Sequence, residues 1–201
     1  MIRLMFVGDG KSDEAVVPRL VERILGTGVA EDARGWARLH GSGRGYHKKL
    51  RFAILAAKDS GAAGVVATID RDRDRRGARL KALREGRAQH RGSAPPFPTA
   101  IGEAVPHLES WLLDDPIAVR RALRLPDDHK IPSPTRVDSP KETLERMWRE
   151  SEQPFPSASQ MLAAIARHVD TARCSRSQQT GFGAFRDDVV AEIGPLVSAK
   201  A

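Results

Sequence analysis

Three short segments carry carboxylates at spacings that can do chemistry together. The first is Phe6-Val-Gly-Asp-Gly-Lys-Ser-Asp-Glu14, which sets Asp9, Asp13 and Glu14 around a Gly-Lys-Ser step. The second is Ile69-Asp-Arg-Asp-Arg-Asp74, and the third is Glu103-Ala-Val-Pro-His-Leu-Glu109, followed by Ser-Trp-Leu-Leu-Asp-Asp115. Hard divalent cations such as Mg²⁺ take one or two carboxylates and complete their shell with water. Asp70 and Asp72, at alternate positions past an apolar run, can point to one side and converge on such an ion. The opposing reading of the same run is a solvated loop of alternating charge. Glu109 precedes Trp111-Leu-Leu113, an apolar anchor for its helix. His107 is a further candidate, weighed against a capping or surface role.

Gly10-Lys11-Ser12 also looks like the end of a phosphate-binding loop. That motif needs a glycine five residues before Gly10. Met5 stands there, inside an apolar run, and Asp9 would repel phosphates. A metal-binding corner therefore explains the segment better than a nucleotide cradle.

The elements that must position these loops follow from periodicity. Met1–Val7 reads as a buried strand, and a helix follows with Ser12 as its expected N-cap and Asp13 and Glu14 in its first turn. Trp36–Leu39 is the expected second strand. Tyr46–Lys58 reads as a helix with Leu50, Ile54 and Leu55 on one face and His47, Lys48, Lys49 and Arg51 on a basic side. Gly64–Ile69, apolar or β-branched throughout, is the clearest strand and should be buried on both faces. A basic surface helix is expected over Arg75–Arg91, a strand around Thr99–Val105 and a short helix at His107–Leu113. Helices at roughly 115–124, 139–151, 157–168 and 183–192 complete the chain. Strand–helix alternation predicts an α/β fold with a mostly parallel, doubly wound sheet flanked by helices and a helical C-terminal extension. In such sheets the functional crevice lies beyond the carboxyl ends of the strands, which is where all three acidic segments fall.

The 201 residues fit one sizeable unit, divided here into an α/β core over 1–115 and a helical extension over 116–201 packed on it. Lys and Arg exceed Asp and Glu by 33 to 26, a net charge of +7, which favours an anionic partner, nucleic acid first. No run approaches the roughly 18 apolar residues of a membrane span, and no secretory signal is evident. Cys174 is the only cysteine, so no internal disulfide forms and a reducing cytoplasm fits. It has no companions at zinc spacing.

Taken in order, Asp9-Gly-Lys-Ser-Asp-Glu14, Asp70-Arg-Asp72 and Glu109-Ser-Trp-Leu-Leu-Asp114 resemble a Toprim domain. The chain is most similar to small bacterial Toprim-like proteins found among mobile defence genes, relatives of the nuclease part of the overcoming-lysogenization-defect family. The resemblance covers about residues 2–115. More loosely, Ser139-Pro-Lys-Glu-Thr-Leu144 and Thr180-Gly-Phe-Gly-Ala-Phe-Arg186 are similar to that group's later motifs. It implies a Toprim/Rossmann-like fold and a metal-dependent nuclease acting on DNA or RNA as an effector in phage defence. Asp70 and Asp72 would then hold Mg²⁺ or Mn²⁺, with Glu14 or Glu109 completing a second site. Asp9 would be a ligand or general acid/base, and Lys141 a catalytic partner at the phosphate. Lys11, Arg71, Arg73, Lys48 and Lys49 are the implied nucleic-acid contacts, with Arg75 and Arg76 beside them. The family has Glu where this chain has Asp9, which shortens the reach by about 1.5 Å, one carbon–carbon bond.

Two other functions compete. One is a non-catalytic Toprim-like module that senses a nucleotide or docks an ATPase partner. The other is phosphoryl transfer on small substrates. Tyr46, the only tyrosine, has no partner domain that would make it a topoisomerase-like nucleophile.

Overall fold

A computed structural model of the protein describes residues 1–39, 45–72, 74, 76–91, 96–151 and 153–198. Four strands, β1 (Ile2–Gly8), β2 (Val29–Gly35), β3 (Gly64–Asp70) and β4 (Thr99–Ala104), form one all-parallel sheet in the order β2-β1-β3-β4. Central strands of such a sheet are covered on both faces and need apolar side chains at every position. β1 and β3 come close to that demand, with Arg3 near the exposed start of β1 and Thr68 and Asp70 toward the end of β3 as the exceptions. Leu4, Phe6 and Val66 enter one core layer, while Met5, Val7, Val65, Ala67 and Ile69 enter the other.

Helices α1 (Lys11–Leu25), α2 (Tyr46–Asp59) and α3 (Ala78–Arg91) make the crossovers. α1 covers the first face, burying Val16, Val17, Leu20 and Val21. α2 and α3 cover the second through Leu50, Ala53, Ile54, Ala57 and Leu83. The sequence expectation for α3 placed it on the surface with little to hold it. Leu83 nevertheless has no exposure, and a Cβ on Gly86 would lie 2.7 Å from the His47 carbonyl oxygen, so α2 and α3 touch backbone to backbone there.

Two expectations are corrected. The second strand is Val29–Gly35, and Trp36–Arg38 is a 3₁₀ turn. β2 is an edge strand with a solvated face, so it carries Glu31, Asp32 and Arg34 in place of an apolar run; Arg19 pairs with Glu31 and Arg34 with Asp32. Trp36 turns inward, where its indole N–H donates to the Thr68 carbonyl. Ser12 is not the cap of α1 either. Gly10, fully extended at φ −169° and ψ −167°, takes that position without a side-chain bond, and the helix begins at Lys11.

Beyond β4 come α4 (Glu109–Leu113), α5 (Pro116–Leu123), α6 (Pro140–Glu150), α7 (Ala158–His168), α8 (Ser177–Thr180), α9 (Phe182–Glu192) and α10 (Gly194–Ser198). α7 lies along α1, and α9 lies along β4. Trp111 is fully buried against Phe185 (4.8 Å between centroids) and Phe182 (5.5 Å), and its indole N–H donates to the Thr180 carbonyl. Asp115 accepts from the Arg173 guanidinium and from the Asp170 N–H. No helix among the described residues is long and apolar enough to cross a membrane.

Gly181 sits where α8 gives way to α9, at φ +80°, and a Cβ there would lie 2.1 Å from the Glu103 carbonyl oxygen. Gly61 has a similar φ of +72° but open space around it. Gly61→Ala should therefore cost about 1 kcal/mol, the left-handed penalty alone. Gly181→Ala should cost roughly 2–4 kcal/mol, because overpacking against backbone is added. Urea unfolding of the two variants measures the difference.

Candidate functional site

Where β1, β3 and β4 end, their loops surround an open crevice of about 400 Å³. Asp9, Lys11 and Asp13 come from the loop after β1 and the start of α1. Asp70 ends β3, His107 and Glu109 follow β4, and Ser139 and Lys141 arrive with the N-terminus of α6. Ser139 caps α6, accepting from the Glu142 N–H, and this points Lys141 in the first turn toward the carboxylates' crevice.

Asp70 binds the loops together. Its N–H donates to Asp9 Oδ2 at 2.9 Å, its Oδ1 accepts from the Leu108 N–H at 2.9 Å, and its Oδ2 lies 3.5 Å from His107 Nδ1. Asp9 is further fixed by the Tyr46 hydroxyl, which donates to Oδ1 at 3.3 Å. Burial, and after it the charge of Asp9, push the Tyr46 phenol up to about 12, so it remains a donor.

Asp13, one of the acids of the first segment and an expected first-turn residue of α1, is buried, and the Thr68 hydroxyl donates to its Oδ1 at 3.1 Å. Two signals pointed to it. Thr68 is the one hydroxyl in an otherwise apolar strand, and a Cβ on Gly8 would lie 2.2 Å from the Asp13 Cβ, so only glycine leaves room for the acid. Burial, with the charges of Asp70 and Asp9 behind it, raises the Asp13 carboxyl to about 7. Asp70 is likewise raised to about 7, by burial and then by Glu109 and Asp9.

The remaining predicted residues are spread more widely. Glu109 is buried at the crevice wall. Glu14 faces the other way, toward Gly35 and Arg38, whose guanidinium lies 3.6 Å from it. Asp72 is exposed at φ +40°, its N–H held by the Pro106 carbonyl, and it does not line the crevice. Arg71 turns to the opposite face of the sheet and pairs with Glu103. Lys49 lies over the Tyr46 ring at 5.3 Å, next to Asp9's partner, while Lys48 is exposed. Arg79, which the sequence did not single out, also lies over that ring and reaches the Asp70 carbonyl. Arg73 and Arg75 lie outside the described residues.

Among the described residues no three His, Cys, Asp or Glu side chains form a ready-made metal cage. The donor chemistry still suits Mg²⁺ or Mn²⁺. Those ions keep much of their water and need only one or two carboxylates, and a dication would offset both the burial that chiefly raises Asp13 and Asp70 and the charge of their neighbours behind it.

An acid whose folded pKa exceeds its unfolded value imposes no penalty at pH below the unfolded value near 4. The penalty grows through neutrality and is complete above the folded value of about 7. Asp13→Asn should therefore leave thermal stability unchanged at pH 4 and raise it at pH 8, in chelator, by on the order of 4 kcal/mol, the shift from 3.8 to about 7 at about 1.4 kcal/mol per pKa unit. Thermal unfolding across pH checks this; an unchanged pH 8 midpoint would contradict the crowding of charge.

Comparison with protein-family models, curated proteins and solved structures finds no match to this chain.

Proposed function

We propose that the protein is a Toprim-type, metal-dependent nuclease that hydrolyses phosphodiester bonds in DNA or RNA. The observation that supports this most is the meeting of Asp9, Asp13, Asp70 and Glu109 with Lys11 and Lys141 in one crevice at the carboxyl end of a parallel sheet. Carboxylates and lysines facing one another across an open cleft suit a substrate that brings both a cation and a phosphate.

The residues divide the work as follows. Asp70, fixed by the Leu108 N–H, and Asp9, fixed by Tyr46 and the Asp70 N–H, are the side chains that would hold Mg²⁺ or Mn²⁺. Bound there, the ion would supply Lewis-acid polarisation of the phosphoryl oxygen and offset its charge. Lys11 and Lys141 bind the phosphate's remaining oxygens. Asp13, with a carboxyl near 7, can hold or release a proton at the pH of the reaction, which suits a general acid or base. His107, held by Asp70, is a second proton carrier facing the cleft. The net charge of +7 supports a polyanionic substrate. Action in the cytoplasm, as an effector of phage defence working with an ATPase partner, belongs to the same proposal.

One observation favours a second reading, a nucleotide-sensing or partner-docking module without cleavage. Both oxygens of Asp9 already accept hydrogen bonds, and Asp is shorter than the Glu of the resembled family. Supercoiled plasmid, single-stranded DNA and RNA incubated with Mn²⁺ or Mg²⁺ decide between the readings. Cleavage is expected, with Asp70→Ala lowering the rate at least about a hundredfold and Lys141→Ala about tenfold or more, in line with loss of charge stabilisation. Undiminished cleavage by Asp70→Ala would remove the assignment, and absence of cleavage in the wild type would favour the module. Mn²⁺ at pH 8 should also raise the melting temperature of the wild type and not of Asp70→Asn.

A further inference from the structure

A second cavity, of about 270 Å³, runs along the outer side of edge strand β4 between α3 and the α8–α9 turn. It lies on the opposite face of the sheet from the carboxylate crevice, because Arg71 and Glu103 alternate with Asp70 and Ala104. Its walls include Arg71, Leu80, Arg84, Ile101, Glu103 and Gln179.

Two polar groups of Glu103 lack partners here. Arg71 donates Nε and Nη2 to the same oxygen, Oε2. Oε1 accepts nothing, although the side chain is only 4% exposed. The backbone gives the second. Val65 N–H→Pro98 C=O and Arg71 N–H→Ala104 C=O show that even-numbered residues of β4 face β3, so the odd-numbered ones face outward. Ile101 N–H then donates to Asp188 at 2.6 Å and Val105 N–H to the Thr180 carbonyl at 2.9 Å. The Glu103 N–H between them meets no acceptor among the described residues. A buried acceptor and a strand-edge donor left unpaired together are costly, and together they mark a place for a ligand with both kinds of group.

The charges narrow its chemistry. Arg87 is engaged by Asp188 and the Thr99 carbonyl, and Arg71 by Glu103, but Arg84 is exposed at the mouth with no ion pair among the described residues. Three arginines against Glu103 and Asp188 leave the cavity basic, which disfavours a cationic amine. A purely anionic ligand would leave Oε1 unserved. The volume falls just below the roughly 300–1,000 Å³ of ordinary ligand pockets and suits a group of nucleoside size. A base offers N–H donors and ring acceptors on its edge, apolar faces for Leu80 and Ile101, and an attached phosphate for Arg84.

We propose that this cavity is a nucleotide subsite, with the base edge on Glu103 and the phosphate on Arg84. Arg71, whose side chain is 43% exposed, shifts together with the Glu103 carboxylate, so that Oε1 is presented to the base N–H while Oε2 keeps the guanidinium. The nucleotide is either free or one unit of a bound strand. In the strand form the inference rests on the phosphodiester reading, since Arg71 directly follows Asp70 and joins the two sites.

Calorimetric titration of the full-length protein in EDTA separates these cases. The titrants are the four ribonucleoside 5′-monophosphates, inorganic phosphate and a single-stranded ten-nucleotide oligomer. At least one mononucleotide should bind about tenfold or more tightly than phosphate, with Arg84→Ala and Glu103→Gln each weakening it about tenfold. An oligomer that binds more tightly and competes with the mononucleotide identifies a strand as the source; binding of mononucleotide alone identifies the free form. Arg84 is exposed, so its variant tests the site even if Glu103→Gln fails to fold. No preference over phosphate, or equal affinity in Arg84→Ala, overturns the proposal. Cleavage without mononucleotide binding would overturn the subsite and leave the phosphodiester reading standing, and binding without cleavage would do the reverse.

Discussion

The crowding of carboxylates at the end of β3 is the constraint on which the rest of this structure depends. Asp9, Asp13, Asp70 and Glu109 would drive their loops apart if each were fully ionised and free. They are held by groups that cannot move away: the Asp70 N–H on Asp9, the Leu108 N–H on Asp70 and the Thr68 hydroxyl on Asp13. Two of the three donors are backbone amides fixed by the sheet and by the turn after β4. The sheet therefore holds these acids buried and close together, and the raised carboxyls of Asp13 and Asp70 follow first from that burial and then from their neighbours' charge.

That constraint explains features far from the crevice. Trp36 turns inward instead of extending β2, and its indole N–H donates to the carbonyl of Thr68, the same residue whose hydroxyl holds Asp13. Gly8 is needed because Asp13 occupies the volume its side chain would take. Trp111, stacked between β4 and α9, anchors the short helix that begins with Glu109. Asp115 is locked in turn by Arg173. Burial would raise its carboxyl, but the guanidinium and the N–H groups of Asp170 and Ala118 hold it below the ordinary range. The C-terminal helices thus close the carboxyl end of the sheet and deliver Lys141 to it.

Much of this was legible in the sequence, and for physical reasons. β1 and β3 are apolar apart from Arg3, Thr68 and the terminal Asp70, as a doubly covered parallel strand demands, and the acids stand at the strand ends where such sheets form their crevice. Helices with strong 3.6-residue periodicity were located within a residue or two. β2 was not, because an edge strand whose outer face is solvated carries no such pattern, and Val-Ala-Glu-Asp-Ala-Arg-Gly resembles a loop. The site was half legible. Asp9, Asp70, Glu109 and Lys141 converge, but alternation in sequence did not bring Asp72 beside Asp70, since the chain turns left-handed there. Glu14 and Asp13 are adjacent on α1, and 100° of helical rotation sends one to Arg38 and the other into the core. Local pattern cannot tell which of two neighbouring acids a strand two elements away will receive.

The same alternation gives the edge strand its second role. Along β4, Ala104 and Asp70 of its neighbour face the crevice side, while Glu103 and Arg71 face α3. Edge strands must have their outward N–H and C=O groups covered, and here α9 does most of that through Asp188 and the turn at Thr180. The coverage breaks at Glu103, where the approach of Gly181 to its carbonyl leaves the amide and one carboxylate oxygen unserved. Arg71, the partner of Glu103, directly follows Asp70, so whatever pairs with Glu103 also bears on Arg71, and through its backbone on the position of Asp70.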